Sequence, residues 1–213
     1  MSNPPAGIVV LISGRGSNLK SIIEAVHGKE LDAKILAVIS NRGDAGGLDF
    51  AREAGIPVEV IEDTQFPSRQ DFDDRLIEAI DRYQPKLVVL AGFMRILGDA
   101  FVRHFLGRLI NIHPALLPQF PGLHTHKRVL ESGVERHGVT VHFVTPEVDS
   151  GPVIIQRSVP VLADDTVESL AARVLELEHA IYPVAIQWFV EGRLTIQDGE
   201  VLLDGEKSPQ QAP

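Results

Sequence analysis

Gly7-Ile8-Val9-Val10-Leu11-Ile12-Ser13-Gly14-Arg15-Gly16-Ser17-Asn18-Leu19 is the stretch that decides the class of fold. Its first seven residues form a continuous run rich in β-branched side chains, the signature of a parallel strand covered on both faces. Gly14 to Asn18 then breaks the run. From Leu19 the apolar residues recur at helical spacing, with Leu19, Ile22, Ile23 and Val26 on one stripe. Strand, glycine turn and helix in that order make the first half of a βαβ unit. The alternation continues. A buried strand over Ile35–Ser40 closes at Asn41-Arg42-Gly43, and a short helix over Gly47–Ala54 ends with Gly55 at C′. Pro57–Ile61 reads as a third strand. Ser68 caps a helix whose stripe is Phe72, Leu76, Ile77 and Ile80, and Lys86–Ala91 is a fourth strand.

Such a pattern predicts an α/β protein with a mostly parallel twisted sheet, Rossmann-like in its N-terminal half, and helices on both faces. Ligands of these sheets bind outside the carboxyl ends of the strands. The second half reads as mixed. Gly138–Val144 alternates like a strand with one face buried, and Pro152–Val159 follows closely enough to be its antiparallel neighbour. Asp165, with Glu168 three residues on, predicts a capping box for a long helix reaching Trp188. Its stripe is Val167, Leu170, Ala171, Val174 and Leu175, and Pro183 predicts a kink near His179. Leu194–Ile196 and Val201–Leu203 form a hairpin about Asp198-Gly199. One domain over 1–213 is expected, with 1–6 and 206–213 as flexible tails.

Composition bounds the function. The 213 residues carry 29 acidic against 20 basic side chains, a net charge of −9, which argues against nucleic acid or an anionic membrane surface as partner. With no cysteine, thiolate nucleophiles and cysteine-held metals are excluded. No apolar run approaches the roughly 18 residues of a membrane span, and the first residues are too polar for a secretory signal. A cytoplasmic location is expected.

Three places could carry chemistry. Gly14-x-Gly16-Ser17-Asn18 lies at a strand-to-helix turn, where N–H groups and the helix dipole favour an anion. It lacks the Gly-Lys-Ser/Thr of a P-loop, and Leu19 stands where a dinucleotide fingerprint has its third glycine. One phosphate group suits it, the plainer alternative being a glycine turn capped by Ser17. The second place is Asn111-Ile112-His113-Pro114. Arg108–Ile112 reads as a strand that Pro114 ends, so Asn111 and His113 reach its carboxyl end on one face. Amide and imidazole there suit oxyanion stabilisation and acid–base work, while a turn amide beside a half-buried histidine would look the same. The third is Asp149, either an Asx-turn residue or the carboxylate that holds His113 cationic.

The remaining candidates are weaker. Pro114 to Lys127 is a loop rich in Pro, Gly and His, expected to be mobile with few backbone partners. His124 and His126 read as its surface, and His142 as a buried, hydrogen-bonded histidine that can line the site. His27 and His104 read as helix-surface residues. Glu178 reads as a solvated helix carboxylate unless the Pro183 kink turns it inward. No metal spacing is found among the eight histidines.

Taken together, Val9 to Leu19, Leu90-Ala91-Gly92-Phe93-Met94-Arg95-Ile96-Leu97, Asn111 to Pro118, Pro121-Gly122-Leu123-His124-Thr125 and Glu178-His179-Ala180-Ile181-Tyr182-Pro183 resemble the phosphoribosylglycinamide formyltransferase family. The resemblance runs from about Ile8 to Trp188 and implies a single formyltransferase domain. It implies transfer of the formyl group of 10-formyltetrahydrofolate to the amine of phosphoribosylglycinamide, without a metal. Asn111, His113 and Asp149 would be catalytic. Gly16, Ser17 and Asn18 would hold the phosphate, and Glu178 the amine or ribose. The folate would lie along Arg69, Met94, Arg95, Ile96, Leu97, Asn111 and the Val144–Asp149 loop. Both partners would be small molecules, and the protein a monomer or homodimer. Ala115 stands where many relatives carry serine, outside the triad.

Three rivals remain. Formyltetrahydrofolate hydrolase shares a similar core but carries an N-terminal regulatory domain. Methionyl-tRNA formyltransferase adds an RNA-binding domain, which the net charge of −9 disfavours. A non-catalytic phosphosugar sensor would not need the Asn/His/Asp cluster.

Overall fold

A computed structural model describes residues 4–207, which fall into two compact units that divide between Ile110 and Asn111. In the first, β1 (Ala6–Ile12), β2 (Ala33–Ser40), β3 (Val58–Val60) and β4 (Leu87–Leu90) lie in the order β3-β2-β1-β4, every pair parallel. Between them run α1 (Ser17–His27), α2 (Gly47–Glu53) and α3 (Arg69–Asp81), and α4 (Asp99–His104) follows β4. Right-handed crossovers from β1 to β2 to β3 put α1 and α2 on one face of the sheet. The return from β3 to β4 puts α3 on the other. The packing agrees, since α1 lies against α2 and α3 against α4. The order in which strands are added reverses between β1 and β4, and the crevice at such a point is where sheets of this kind bind ligands. β1 is almost wholly inaccessible from Ile8 to Ile12, as expected of its β-branched run.

Strands and helices fall within a few residues of expectation, with informative differences. The α1 stripe closes on Ala25, leaving Val26 half-buried, and the α3 stripe takes Ala79 where Ile77 is half-buried. α4, six residues long, escapes sequence reading because Phe101 and Val102 are too few to show a period.

The second unit opens in β5 (Leu109–His113), beside which lie β6 (Arg136–Phe143) and β7 (Val153–Pro160), the last two antiparallel. β6 is buried from His137 to Phe143, on both faces rather than one. The helices α5 (Thr125–Ser132) and α6 (Val167–Val190) explain one face: His137 meets His126 of α5, and the Phe143 ring lies 6.2 Å from Phe189 of α6. The loop after β5 explains the other. Thr140 Oγ1 donates to the Ala115 carbonyl (2.6 Å) and accepts from Leu117 N–H (3.1 Å). Gln156 Nε2 donates to the Leu117 carbonyl (2.8 Å) and to Thr140 Oγ1 (2.8 Å). So the segment after Pro114 has backbone partners, contrary to expectation, and α5 takes up its end. His126 is accordingly half-buried against His137 and not on a loop surface.

The α6 cap is Thr166, reciprocally bonded with Ser169, one residue later than the expected Asp165–Glu168 box. Asp165 serves instead as acceptor for Leu162 N–H, Ser169 and Arg173. The buried stripe is Leu170, Val174, Glu178, Ile181, Tyr182, Ala185 and Ile186, with Val167 exposed and Pro183 inside the helix. β8 (Leu194–Gln197) and β9 (Glu200–Leu203) form the expected hairpin, and β10 (Glu206–Lys207) pairs with β9. Ala6 and Glu206–Lys207 are therefore strand residues. Pro4 and Pro5 are exposed and outside any strand or helix, and residues 1–3 and 208–213 of the expected tails lie outside the described residues.

Candidate active site

In the first unit the β1–α1 turn is set by Gly16, at φ 76° and ψ 24° as the N-cap of α1. A Cβ there would come within 2.4 Å of Gly47 Cα, so only glycine fits both the backbone angle and the approach of α2. Gly47 N–H donates to the Gly14 carbonyl (3.0 Å), tying the loop to α2. Ser17 is the first helical residue and not the cap. Gly16 has no side chain to cap the helix, and no acidic side chain in the first turn of this eleven-residue helix offsets its dipole, which suits an anion. Asn18 is buried directly behind Ser17.

The neighbouring β4–α4 loop, Gly92 to Gly98, presents Met94 and Ile96 to solvent at 72% and 59% exposure, an unusual display of apolar side chains. Ser13, at the end of β1, fixes its start. Ser13 N–H donates to the Gly92 carbonyl (3.2 Å), while its Oγ accepts from Met94 N–H (2.7 Å) and donates to Asn41 Oδ1 (2.6 Å). Arg95 pairs with Asp63, its guanidinium 4.8 Å from the Phe72 ring centre. Leu97 is half-buried, and Arg69 is exposed at the first position of α3.

In the second unit the ends of β5 and β6 and the turn after β6 bring four polar side chains together. His113 is buried, with Nδ1 3.4 Å from Asp149 Oδ2 and Nε2 2.9 Å from the Phe120 carbonyl. Both neighbours are acceptors, so a ring carrying both protons has a partner for each. Asp149 sits at φ 50°, and its Oδ2 also accepts from Gly122 N–H (2.8 Å). Two residues before His113, Asn111 Nδ2 lies 3.3 Å from His142 Nε2. His142 Nδ1 lies 2.9 Å from the Phe143 carbonyl, which can only accept, so Nδ1 carries the proton and Nε2 accepts from the Asn111 amide. Burial pushes the His142 pKa down, in keeping with that neutral ring. Asp149 Oδ1 lies 3.7 Å from His142 Nε2.

Asn111, His113 and Asp149 thus converge as their spacing and turn suggested, and His142 joins them. His142 was expected as a buried, hydrogen-bonded histidine able to line the site, and it is buried here with both ring nitrogens in contact. Val144 follows β6 half-buried. Glu178 is 8% exposed on the inner stripe of α6, with Tyr182 one turn on, and is not a solvated carboxylate. Its charge adds to burial in raising the Tyr182 pKa. Among the described residues no group of three or more histidines or acids is arranged to hold a metal ion.

In the second unit, an amide donor beside an imidazole braced by a carboxylate is an arrangement that can stabilise an oxyanion; in the first, the glycine turn at the start of α1 is an arrangement that can face an anion. Residues 6–186 match the family described as formyl transferase. The chain is 54% identical to phosphoribosylglycinamide formyltransferase of Escherichia coli over 204 residues, which is 96% of each chain. It belongs to the phosphoribosylglycinamide formyltransferase family. A solved phosphoribosylglycinamide formyltransferase from Coxiella burnetii superposes with a TM-score of 0.92 at 52% identity, covering 98% of both chains. A formyltetrahydrofolate deformylase from Pseudomonas syringae shares the fold (TM-score 0.87) at 26% identity, and this chain covers 66% of it. The hydrolase rival is thus a more distant relation than the transferases.

Proposed function

We propose that the protein transfers the formyl group of 10-formyltetrahydrofolate to the amine of 5′-phosphoribosylglycinamide, giving the N-formyl product and tetrahydrofolate. The observation that carries this is His113, braced by Asp149 at 3.4 Å, two residues along one strand from the Asn111 amide. The amine attacks the formyl carbon directly. A carbon–nitrogen bond forms, the bond to the folate nitrogen breaks, and one proton passes from the amine to that nitrogen. His113, as imidazolium, and the Asn111 amide stabilise the tetrahedral oxyanion. Asp149 keeps His113 oriented and, through water, helps the proton on its way. The cluster holds no serine, cysteine or lysine to act as a nucleophile, which favours direct transfer.

In this reading the ribonucleotide phosphate lies on Gly16, Ser17 and Asn18, whose uncapped helix end suits a dianion. Glu178 meets the amine or ribose. The folate lies along Arg69, Met94, Arg95, Ile96, Leu97, Asn111, Val144 and Asp149. The displayed Met94 and Ile96 side chains suit a flat aromatic ring, and Arg69 suits a carboxylate. The whole chain acts as one formyltransferase domain in the cytoplasm, as monomer or homodimer, with no nucleic acid or membrane partner. No helix among the described residues is long and apolar enough to cross a membrane.

The deciding experiment mixes 10-formyltetrahydrofolate with the ribonucleotide and follows tetrahydrofolate release. Release that needs the ribonucleotide is expected. Release without it would mark a hydrolase, and binding without any release would mark a sensor.

A further inference from the structure

Asp73 has no ordinary reason to be where it is. It lies on the inner stripe of α3 between Phe72 and Leu76, 2% exposed, where leucine would pack at less cost. Burial pushes its carboxyl above the usual range against the opposing effects of the Gly98 N–H and the charges of Arg95 and Arg69. Oδ1 is buried without a hydrogen-bond partner. Oδ2 accepts from Gly98 N–H at 2.7 Å. Gly98 is the last residue before α4, so this bond closes the Gly92–Gly98 loop whose start Ser13 holds. A Cβ on Gly98 would lie 2.7 Å from the same oxygen, leaving no room for a side chain between loop and carboxylate. The loop thus hangs between two fixed points, one in β1 and one in α3, with Met94 to Leu97 spanning them.

We infer that Asp73 is a positioning residue for the formyl donor: by holding Gly98 N–H it sets the backbone of Met94–Leu97 on which the folate lies. This rests on the folate placement proposed above. Asp73 does not touch the donor; it acts through the loop. The cost of burying the acid is explained because a carboxylate binds a backbone N–H more strongly than a neutral acceptor does.

Steady-state kinetics of Asp73→Leu and Asp73→Asn, with each substrate varied in turn, test this. D73L removes the acceptor and should raise KM for 10-formyltetrahydrofolate on the order of 10-fold, the value of one lost hydrogen bond. KM for the ribonucleotide should stay within twofold. D73N keeps an oxygen for Gly98 N–H without the charge and should recover part of the loss. Gly98→Ala, which pushes loop and carboxylate apart from the other side, should reproduce the D73L effect and serves if D73L does not fold. An unchanged folate KM in a folded variant, or equal rises in both KM values, overturns the inference while leaving the transferase reading intact. A parent protein that releases no tetrahydrofolate overturns both.

Discussion

The Asn111 amide donates to Nε2 of His142, 3.3 Å away, and that bond decides which end of the amide is nitrogen. The ring can accept only because its Nδ1 proton is committed to the Phe143 carbonyl. One amide hydrogen is thereby used and the second is left to serve an oxyanion. His113 is fixed in the same manner, between Asp149 and the Phe120 carbonyl. Each donor of the proposed reaction is thus aimed by a second group.

Asn111→Ala and His113→Ala should each lower kcat on the order of 10²–10³-fold, the cost of one oxyanion donor. His142→Phe keeps a ring of similar bulk but cannot accept from the amide, and should lower kcat about 10-fold. Steady-state turnover checks all three. Retention of kcat within threefold in either alanine variant would remove that residue from the mechanism.

Thr140→Val preserves shape but takes a partner from three buried groups, Leu117 N–H, the Ala115 carbonyl and the Gln156 amide. The expected loss is about 2 kcal/mol of unfolding free energy, read from the urea midpoint. A loss below about 0.5 kcal/mol would mean that the hydroxyl is not what holds the loop.

His137, 1% exposed and facing His126, has its pKa lowered to about 4 by burial. The unfolded chain, with an ordinary imidazole near 6.5, takes up the proton first. Its contribution to stability is therefore complete above pH 6.5 and is lost as pH falls towards 4, by on the order of 2–3 kcal/mol. His126 and His142 are lowered in the same direction. His137→Asn should make the acid side of the stability–pH curve shallower without abolishing it. Urea midpoints between pH 4 and 7 measure the slope, and an unchanged slope would contradict the burial argument.

Gly16→Ala asks a β-carbon to adopt φ 76° and to stand 2.4 Å from Gly47 Cα. The turn must move. A stability loss of about 1–3 kcal/mol is expected, with a rise in KM for the ribonucleotide larger than that for the folate. Equal effects on both substrates would separate Gly16 from phosphate binding.

Features set by near neighbours in the chain are legible in the sequence. β1 announces itself because a parallel strand must be apolar on both faces, and Gly16 because the strand-to-helix turn needs a left-handed residue. Asn111 and His113 share a face because strand side chains alternate with a period of two. Capping failed by one residue at Thr166, since Asp165, Thr166 and Ser169 offer competing acceptors within one turn.

What the sequence determined by itself is the α/β succession, the glycine turn and the Asn111–His113 pair, all consequences of short-range periodicity and backbone sterics. The tertiary structure alone decided that His142 reaches Asn111, that His126 meets His137 across 11 residues, that Glu178 faces inward, and that Asp73 closes a loop 25 residues away. His126 and Glu178 resemble surface residues in sequence. Their burial is decided by which hydrogen-bond partners the packed chain brings to them, and no local pattern records that.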